Sequence, residues 1–152
     1  MGKSGADLGV VAGLVRASFL VNAVYAESAR EYGLTVQQGQ LLCVLMARPY
    51  GMGDLGATLG LEKSSLTGLV DRAVRRGLVR REPDPDDRRA VHVLLTVEGR
   101  DLAEDFYAAT CRRVDDLATT LSPAERDRLG ALLGTIVREN EAPTVFLDAL
   151  QP

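Results

Sequence analysis

Most of the chain carries hydrophobic residues at the spacing of an α-helix. Over residues 7–32 they recur every three or four positions, and Gly33 follows, as glycine often does at a helix end. Thr35 to Gln38 has the pattern of a capping box, in which an N-cap hydroxyl and a side chain three residues later each accept a backbone N–H. A second helix is therefore predicted through Met46.

The middle of the chain changes period twice. Residues 54–59 and 63–76 predict two short helices, each followed by a glycine, and two short helices across a tight turn form a helix-turn-helix. Residues 78–81 and 90–95 then read as strands joined by a segment rich in Pro and Asp. A β-hairpin directly after a helix-turn-helix is a wing, so the pattern predicts a mainly α fold with a small β-hairpin wing.

The last third returns to helical spacing. Thr96 is predicted to cap a helix that reaches about Leu121, and Ser122 to cap a last helix that reaches about Asn140. An apolar tail follows, which we expect to pack against something because it is costly to expose. Its apolar residues are Val145, Phe146, Leu147, Ala149 and Leu150.

Charge is distributed unevenly along the chain. The net charge is −3, yet residues 61–89 hold eight Lys or Arg against six Asp or Glu, and the remainder holds ten against fifteen. This asymmetry favours a cationic face on an acidic body, which suits nucleic acid. A solvated Arg-rich helix would have the same composition, so charge alone leaves both interpretations open.

Other classes of protein find little support in the composition. The apolar stretch at residues 8–24 is interrupted by polar side chains and lacks the features of a leader, so we expect a cytoplasmic protein without a membrane span. With one histidine, His92, and only Cys43 and Cys111, we expect no metal, no cofactor and no enzymatic site. Both cysteines lie in apolar helical patterns, which favours buried packing over redox sensing.

The second short helix has a polar face suited to DNA. Leu66, Leu69, Val70 and Ala73 share one side, which predicts the core face. A helix in the major groove needs small residues for close approach, hydroxyls, and arginines for guanine or phosphate. The opposite side and its flanks carry these types, together with one acid, Asp71: Ser64, Ser65, Thr67, Gly68, Arg72 and Arg75. An ordinary amphipathic surface helix is the alternative.

The tip of the predicted wing supplies a second basic element. Arg88 and Arg89 lie where the connection returns to a strand, and arginine suits the negative potential of a narrow minor groove. Asp86 and Asp87 are interpreted as carboxylates that brace a neighbouring guanidinium. The alternative is a solvated charged turn. His92, which alternates with Val91 and Val93, is expected to face solvent.

These segments together resemble the MarR family of bacterial transcriptional regulators. The segments that carry the resemblance are residues 53–61 (GDLGATLGL), 63–72 (KSSLTGLVDR), 77–81 (GLVRR), 84–89 (DPDDRR) and 95–99 (LTVEG). It extends over about residues 8–140. The order of the motifs is specific, although no single motif is.

The resemblance implies a homodimer that binds double-stranded DNA. Residues 35–96 would form the winged helix-turn-helix, and residues 1–34 and 97–152 a helical dimerisation region. The family's recognition-helix contacts would fall on Ser64, Ser65, Thr67, Gly68, Arg72 and Arg75. Its wing-tip arginine would be Arg89, braced by Asp87. Two positions depart from the family pattern: Glu62 replaces the usual Asp before the helix, and Gly68 replaces a larger polar residue.

The resemblance also implies a small phenolic or anionic ligand in a cleft between the dimer helices and the winged domain. Candidate lining residues are Phe19, Tyr25, Tyr32 and the helix over residues 41–46, although the same side chains serve equally as core. The leading hypothesis is a repressor of a pseudo-palindromic operator that the ligand releases from DNA. The alternatives are a DNA binder or activator without a ligand, and a winged-helix dimer that acts through protein contacts.

Overall fold

The computed structural model describes residues 8–142, which form six helices and a three-stranded sheet. The elements are α1 (Val10–Glu31), α2 (Val36–Leu45), β1 (Tyr50–Gly51), α3 (Met52–Leu59), α4 (Lys63–Arg75), β2 (Val79–Pro83), β3 (Val91–Leu95), α5 (Val97–Asp116) and α6 (Pro123–Glu139). The predicted mainly α fold with a helix-turn-helix (α3 and α4) and a wing (β2 and β3) is confirmed. The apolar tail after Pro143 lies outside the described residues.

The predicted capping box at Thr35 and the predicted cap at Ser122 are both present. The N–H of Gln38 donates to Thr35 Oγ1 and the N–H of Thr35 donates to Gln38 Oε1, each at 3.1 Å. Ser122 and Glu125 make the same reciprocal pair at the start of α6. Each pair binds two N–H groups that the first turn of a helix leaves without a partner, so the chain fixes where α2 and α6 begin.

The sheet is antiparallel in the order β1-β3-β2. Tyr50 of β1 pairs with Val93, and Val79 of β2 pairs with Leu95. Strand β1 was not predicted, because two residues are too few to establish a period. It extends the wing hairpin to a third strand and places the start of α3 against the sheet.

The core lies in the winged half and reaches into α5. Phe106 of α5 is fully buried against Gly39 of α2, where an added Cβ would lie 2.5 Å from the phenyl ring. Tyr25 of α1 and Tyr32, the C-cap of α1, approach the same ring, each with its ring centroid 6.4 Å from that of Phe106. Three helices therefore meet at Phe106, and α2 carries glycine at the point of contact.

The base of the wing is fastened to the start of α5. Thr96 Oγ1 donates to the carbonyl of Gly77 at 2.6 Å and accepts the N–H of Gly99 at 3.0 Å. The N–H of Thr96 donates to the carbonyl of Leu78 at 3.1 Å. A Cβ on Gly99 would lie only 1.8 Å from the Leu78 oxygen, so the backbones of α5 and the wing touch directly.

Helix α5 ends earlier than the sequence pattern predicts. It stops at Asp116 instead of about Leu121, and turns link it to α6. Arg126 of α6 holds this connection, since its Nη1 donates to the carbonyl of Ala118 at 3.0 Å and its guanidinium also pairs with Asp115. The apolar residues after Asp116 continue the helical spacing, but the chain turns there to bring α6 back.

Helices α1 and α6 leave apolar side chains uncovered. Val11 is 79% exposed and Phe19 is 70% exposed on α1, while Leu132 is 56% exposed on α6. The other large apolar residues exposed on these two helices are Val10, Leu14, Val15, Leu20, Leu129, Leu133, Ile136 and Val137. Among the described helices, α1 alone is long and apolar enough to cross a membrane, judged by length and composition only. The polar residues within this stretch had led us to expect no such helix.

Candidate nucleic-acid interface

Helix α4 presents the two faces that the sequence predicts. Leu66, Leu69, Val70 and Ala73 are at most 2% exposed and form part of the core. The predicted DNA-binding side chains on α4 are exposed, and the backbone of Gly68 is half-buried. The exposed side chains are Ser64, Ser65, Thr67, Arg72 and Arg75. The surface of α4 is therefore free for a partner, and its contact with DNA stays a prediction.

The first turn of α4 presents backbone N–H groups as well as polar side chains to a partner. Glu62 occupies the N-cap without a side-chain capping bond, so the first N–H groups of α4 are not capped by it. Thr67 Oγ1 donates to the carbonyl of Lys63 at 2.8 Å, which leaves its lone pairs as acceptors on the surface. A Cβ on Gly68 would lie 3.2 Å from Arg72 Nη1, so glycine leaves room for the guanidinium to lie along the helix.

The one acid on the outer face of α4 is neutralised by the wing. Arg81 Nη2 of β2 lies 2.5 Å from Asp71 Oδ1. Beside a phosphate backbone an unpaired carboxylate would repel, and this ion pair removes that charge and links β2 to α4. No local pattern in the sequence distinguishes Arg81 from the other arginines, because its partner lies ten residues away on a different element.

Two aspartates shape the loop that carries Arg88 and Arg89. Asp84 Oδ1 accepts the N–H of Asp86 at 2.8 Å, and Asp87 Oδ1 accepts the N–H of Arg89 at 3.0 Å. Both are Asx turns, in which a short carboxylate binds backbone two residues ahead. Asp87 was expected to brace a guanidinium. Within residues 8–142, however, no arginine side chain forms an ion pair with Asp87. The carboxylate fixes the backbone of Arg89 instead, and both arginine side chains are exposed.

The sequence predicts that His92 faces solvent, but the side chain is only partly exposed and contacts the wing loop. Its side chain is 32% exposed, and Nε2 lies 2.9 Å from Asp84 Oδ2. Gly51 is its cross-strand partner on β1, where an added Cβ would lie 3.9 Å from His92 Cδ2. The imidazole lies beside Gly51, where an added Cβ would make only an ordinary contact, and its Nε2 connects β3 to the wing loop through Asp84.

Cys43 is buried in the core, and Cys111 is partly buried against it. Cys43 is 8% exposed, and burial, together with nearby Cys111, raises the pKa of its thiol to about 12. A thiol that stays protonated is a poor nucleophile, which favours the packing role over redox sensing. Within residues 8–142, no group of three or more His, Cys, Asp or Glu side chains is placed to hold a metal ion.

A cavity of about 870 Å³ opens between α1, α5 and α6. Of the predicted ligand-lining residues, Tyr25 alone contributes to it; burial raises the pKa of its hydroxyl. Residues 41–45 are instead core, Met46 packs against that core, Tyr32 contacts Phe106, and Phe19 lies on the open face of α1. The cavity walls are mainly apolar and include Leu20, Val21, Val114, Leu117 and Leu133.

A helix-turn-helix with an exposed hydroxyl- and arginine-bearing second helix, followed by a wing with two exposed arginines, defines the winged helix-turn-helix class of DNA-binding proteins. Comparison with known proteins identifies the particular family. The MarR family profile matches residues 32–90. The regulator PecS of Dickeya dadantii is 30% identical over 131 residues, which is 84% of this chain and 79% of PecS. The chain belongs to the MarR family of transcriptional regulators.

Solved structures agree with this assignment. The repressor CouR bound to a 23-mer DNA duplex is 27% identical, with a TM-score of 0.73 over 90% of this chain and 98% of CouR. The Bordetella bronchiseptica protein BpsR is also 27% identical, with a TM-score of 0.71 over 89% of this chain and 97% of BpsR. The BpsR structure concerns regulation of its DNA binding by 6-hydroxynicotinic acid.

Proposed function

We propose that this regulator is a homodimeric repressor that binds a pseudo-palindromic operator. Helix α4 enters the major groove, and Arg88 and Arg89 enter the neighbouring minor groove. The observation that carries the proposal is the outer face of α4, exposed and free of unpaired acid because Arg81 neutralises Asp71. The base-edge and phosphate contacts are assigned to Ser64, Ser65, Thr67, Gly68, Arg72 and Arg75, with Asp87 holding the backbone of Arg89.

The dimer forms through the helical region of residues 1–34 and 97–152, and residues 35–96 read DNA. The apolar faces of α1 and α6 support this division, because soluble monomers rarely leave large apolar patches exposed. A second copy of the chain covers both faces at once by two-fold symmetry. The same symmetry sets the two α4 helices about one turn of DNA apart, roughly 34 Å.

A small phenolic or anionic ligand releases the dimer from DNA in the cytoplasm. The cavity beside Tyr25 supports a ligand, since it is apolar and lies next to the helices that join the two copies. Its walls also include Arg126, whose guanidinium is paired with Asp115, so the carboxylate of an acidic ligand would have to compete with that residue. A ligand that binds better to a dimer with the wrong spacing of α4 helices shifts the population away from the DNA-bound form. A regulator without a ligand would bind DNA equally well in the presence of such compounds.

Fluorescence anisotropy tests the DNA proposal. The purified protein is titrated against DNA from upstream of its own gene and against a randomised pool, at several salt concentrations. We expect salt-sensitive binding with a slope of about −0.9 per phosphate neutralised, weakened by Arg72→Ala and by Arg89→Ala. Arg128→Ala, which removes an exposed arginine from α6, is the matched control and should bind like wild type. A folded dimer that binds neither DNA would reject the proposal and favour action through protein contacts.

A further inference from the structure

Arg76, at the C-cap of α4, connects the recognition helix to the junction between α1 and α2. Its Nη1 donates to the carbonyl of Gly33 at 2.8 Å and to Gln38 Oε1 at 3.0 Å. Gly33 and Gln38 lie 43 and 38 residues away in the sequence. One side chain therefore spans from the end of α4 to the point where the helical region passes into the winged domain.

Both acceptors of Arg76 are held in place. Gln38 is 6% exposed, and its Oε1 also accepts the N–H of Thr35 in the capping box of α2. Gly33 has φ of +65°, in the left-handed region where glycine is unstrained, and its own N–H donates to the carbonyl of Arg30 at 3.2 Å. Since neither acceptor is free to follow the guanidinium, the contacts fix Arg76 and with it the last turn of α4.

The neighbouring Arg75 behaves differently. Both side chains are exposed, but within residues 8–142 the hydrogen bond of Arg75 stays on its own helix, from its Nε to the carbonyl of Asp71 at 3.5 Å. Arg75 is thus available for a phosphate, whereas the guanidinium of Arg76 is engaged across the fold. No carboxylate pairs with Arg76 within residues 8–142, so its contacts are directed hydrogen bonds to two neutral oxygens.

We propose that Arg76 is a positioning residue for DNA recognition: it sets the tilt of α4 relative to the helical region without touching DNA. The inference rests on the proposed function of α4. Helix α4 has 13 residues. A rise of 1.5 Å per residue puts Ser64 about 18 Å from Arg76, so a tilt of about 5° at the anchored end moves Ser64 by about 1.5 Å. Hydrogen bonds to base edges do not survive such a shift, whereas contacts to phosphates adjust.

Two DNA ligands separate positioning from phosphate binding. The operator is the sequence that wild type selects from a randomised pool, and the competitor is DNA of shuffled sequence. For Arg76→Ala we expect at least about tenfold weaker operator binding, less than about twofold change on shuffled DNA, and an unchanged salt slope. For Arg75→Ala, the matched control, we expect weaker binding to both and a salt slope lower by about one. A salt slope that falls equally in Arg76→Ala would overturn the positioning role.

Amide hydrogen exchange gives a readout that needs no DNA. Removal of the guanidinium should speed exchange of the Thr35 N–H, which shares Gln38 Oε1, by about tenfold through local opening, and Arg75→Ala should leave it unchanged. Arg76→Lys, which keeps the charge but lacks the planar fork, should fall between Arg76→Ala and wild type in both experiments, and it replaces Arg76→Ala if that variant does not fold. Unchanged exchange at Thr35 would contradict the inference, whereas absence of DNA binding by wild type would contradict only the proposed function.

Discussion

The winged half and the flanking helices use the same apolar residue types in opposite ways. In the winged half Leu41, Leu55 and Val93 are fully buried, because α2, α3, α5 and the sheet surround them. On α1, Val11 and Phe19 are more than two-thirds exposed, because residues 8–142 supply nothing to cover them. The winged half and α5 bury their apolar residues within one chain, whereas α1 and α6 leave most of theirs uncovered, and the proposed dimer would cover them.

The largest effect is expected where the two regions meet. Phe106→Ala removes a fully buried ring that contacts α1 and α2, and loss of burial plus the cavity left behind should lower the free energy of unfolding by about 3–5 kcal/mol. Urea denaturation followed by circular dichroism measures it. Val97→Ala, on the same helix but 76% exposed, should change stability by less than about 0.5 kcal/mol. Equal stability of the two variants would show that α5 is not packed as described.

A charge on α6 should separate association from folding. Leu132→Glu places a carboxylate on the uncovered apolar face, where a dimer would bury it without a partner, so we expect the dimer dissociation constant to rise at least about tenfold. Sedimentation equilibrium measures the constant, and the helical circular dichroism signal should persist. Val91→Glu makes the same change on an exposed wing residue and should leave association intact. Weakened association in that control alone would place the interface on the wing.

The smallest effects concern the two capping boxes, one in each region. Ser122→Ala should cost about 1 kcal/mol, the usual value for loss of an N-cap hydroxyl. Thr35→Ala should lower the free energy of unfolding by more than Ser122→Ala does. It removes the acceptor of the Gln38 N–H, and the side chain of Gln38, which also accepts the hydrogen bond from Arg76, is then less well held. Thermal unfolding at fixed protein concentration compares the two variants. Ser122→Asp and Thr35→Asp retain a capping acceptor and should restore most of each loss. A smaller loss for Thr35→Ala would show that the box at α2 is independent of Arg76.

Sequence reasoning succeeded where the signal is local. The capping boxes at Thr35 and Ser122 need only four residues each, and the buried side of α4 follows from its own period. It failed where the partner is distant in the sequence. The Arg81–Asp71 ion pair and the hydrogen bond from Arg76 to Gly33 form only in the folded chain. The same holds for the contact between His92 and Asp84 of the wing loop.

The ligand candidates illustrate the same limit. The sequence indicated aromatic residues and one helix, but the cavity is built from single faces of α1, α5 and α6 that no linear pattern groups together. Helix α5 was predicted too long for a related reason, since its apolar spacing continues through a turn that Arg126 of α6 fixes. Local periodicity identifies helices and their buried faces, while their arrangement decides which faces enclose space.

The close approach at Gly99 limits what mutation can do at this position. Because a Cβ there would overlap the carbonyl of Leu78, alanine, the smallest replacement, already forces α5 away from the wing. In a library carrying every substitution, position 99 should therefore accept glycine alone, while nearby Val97, exposed on the same helix, should accept many residues. Substitutions can change the exposed residues of the wing, but the tight junction between the wing and α5 has almost no room for a side chain at position 99.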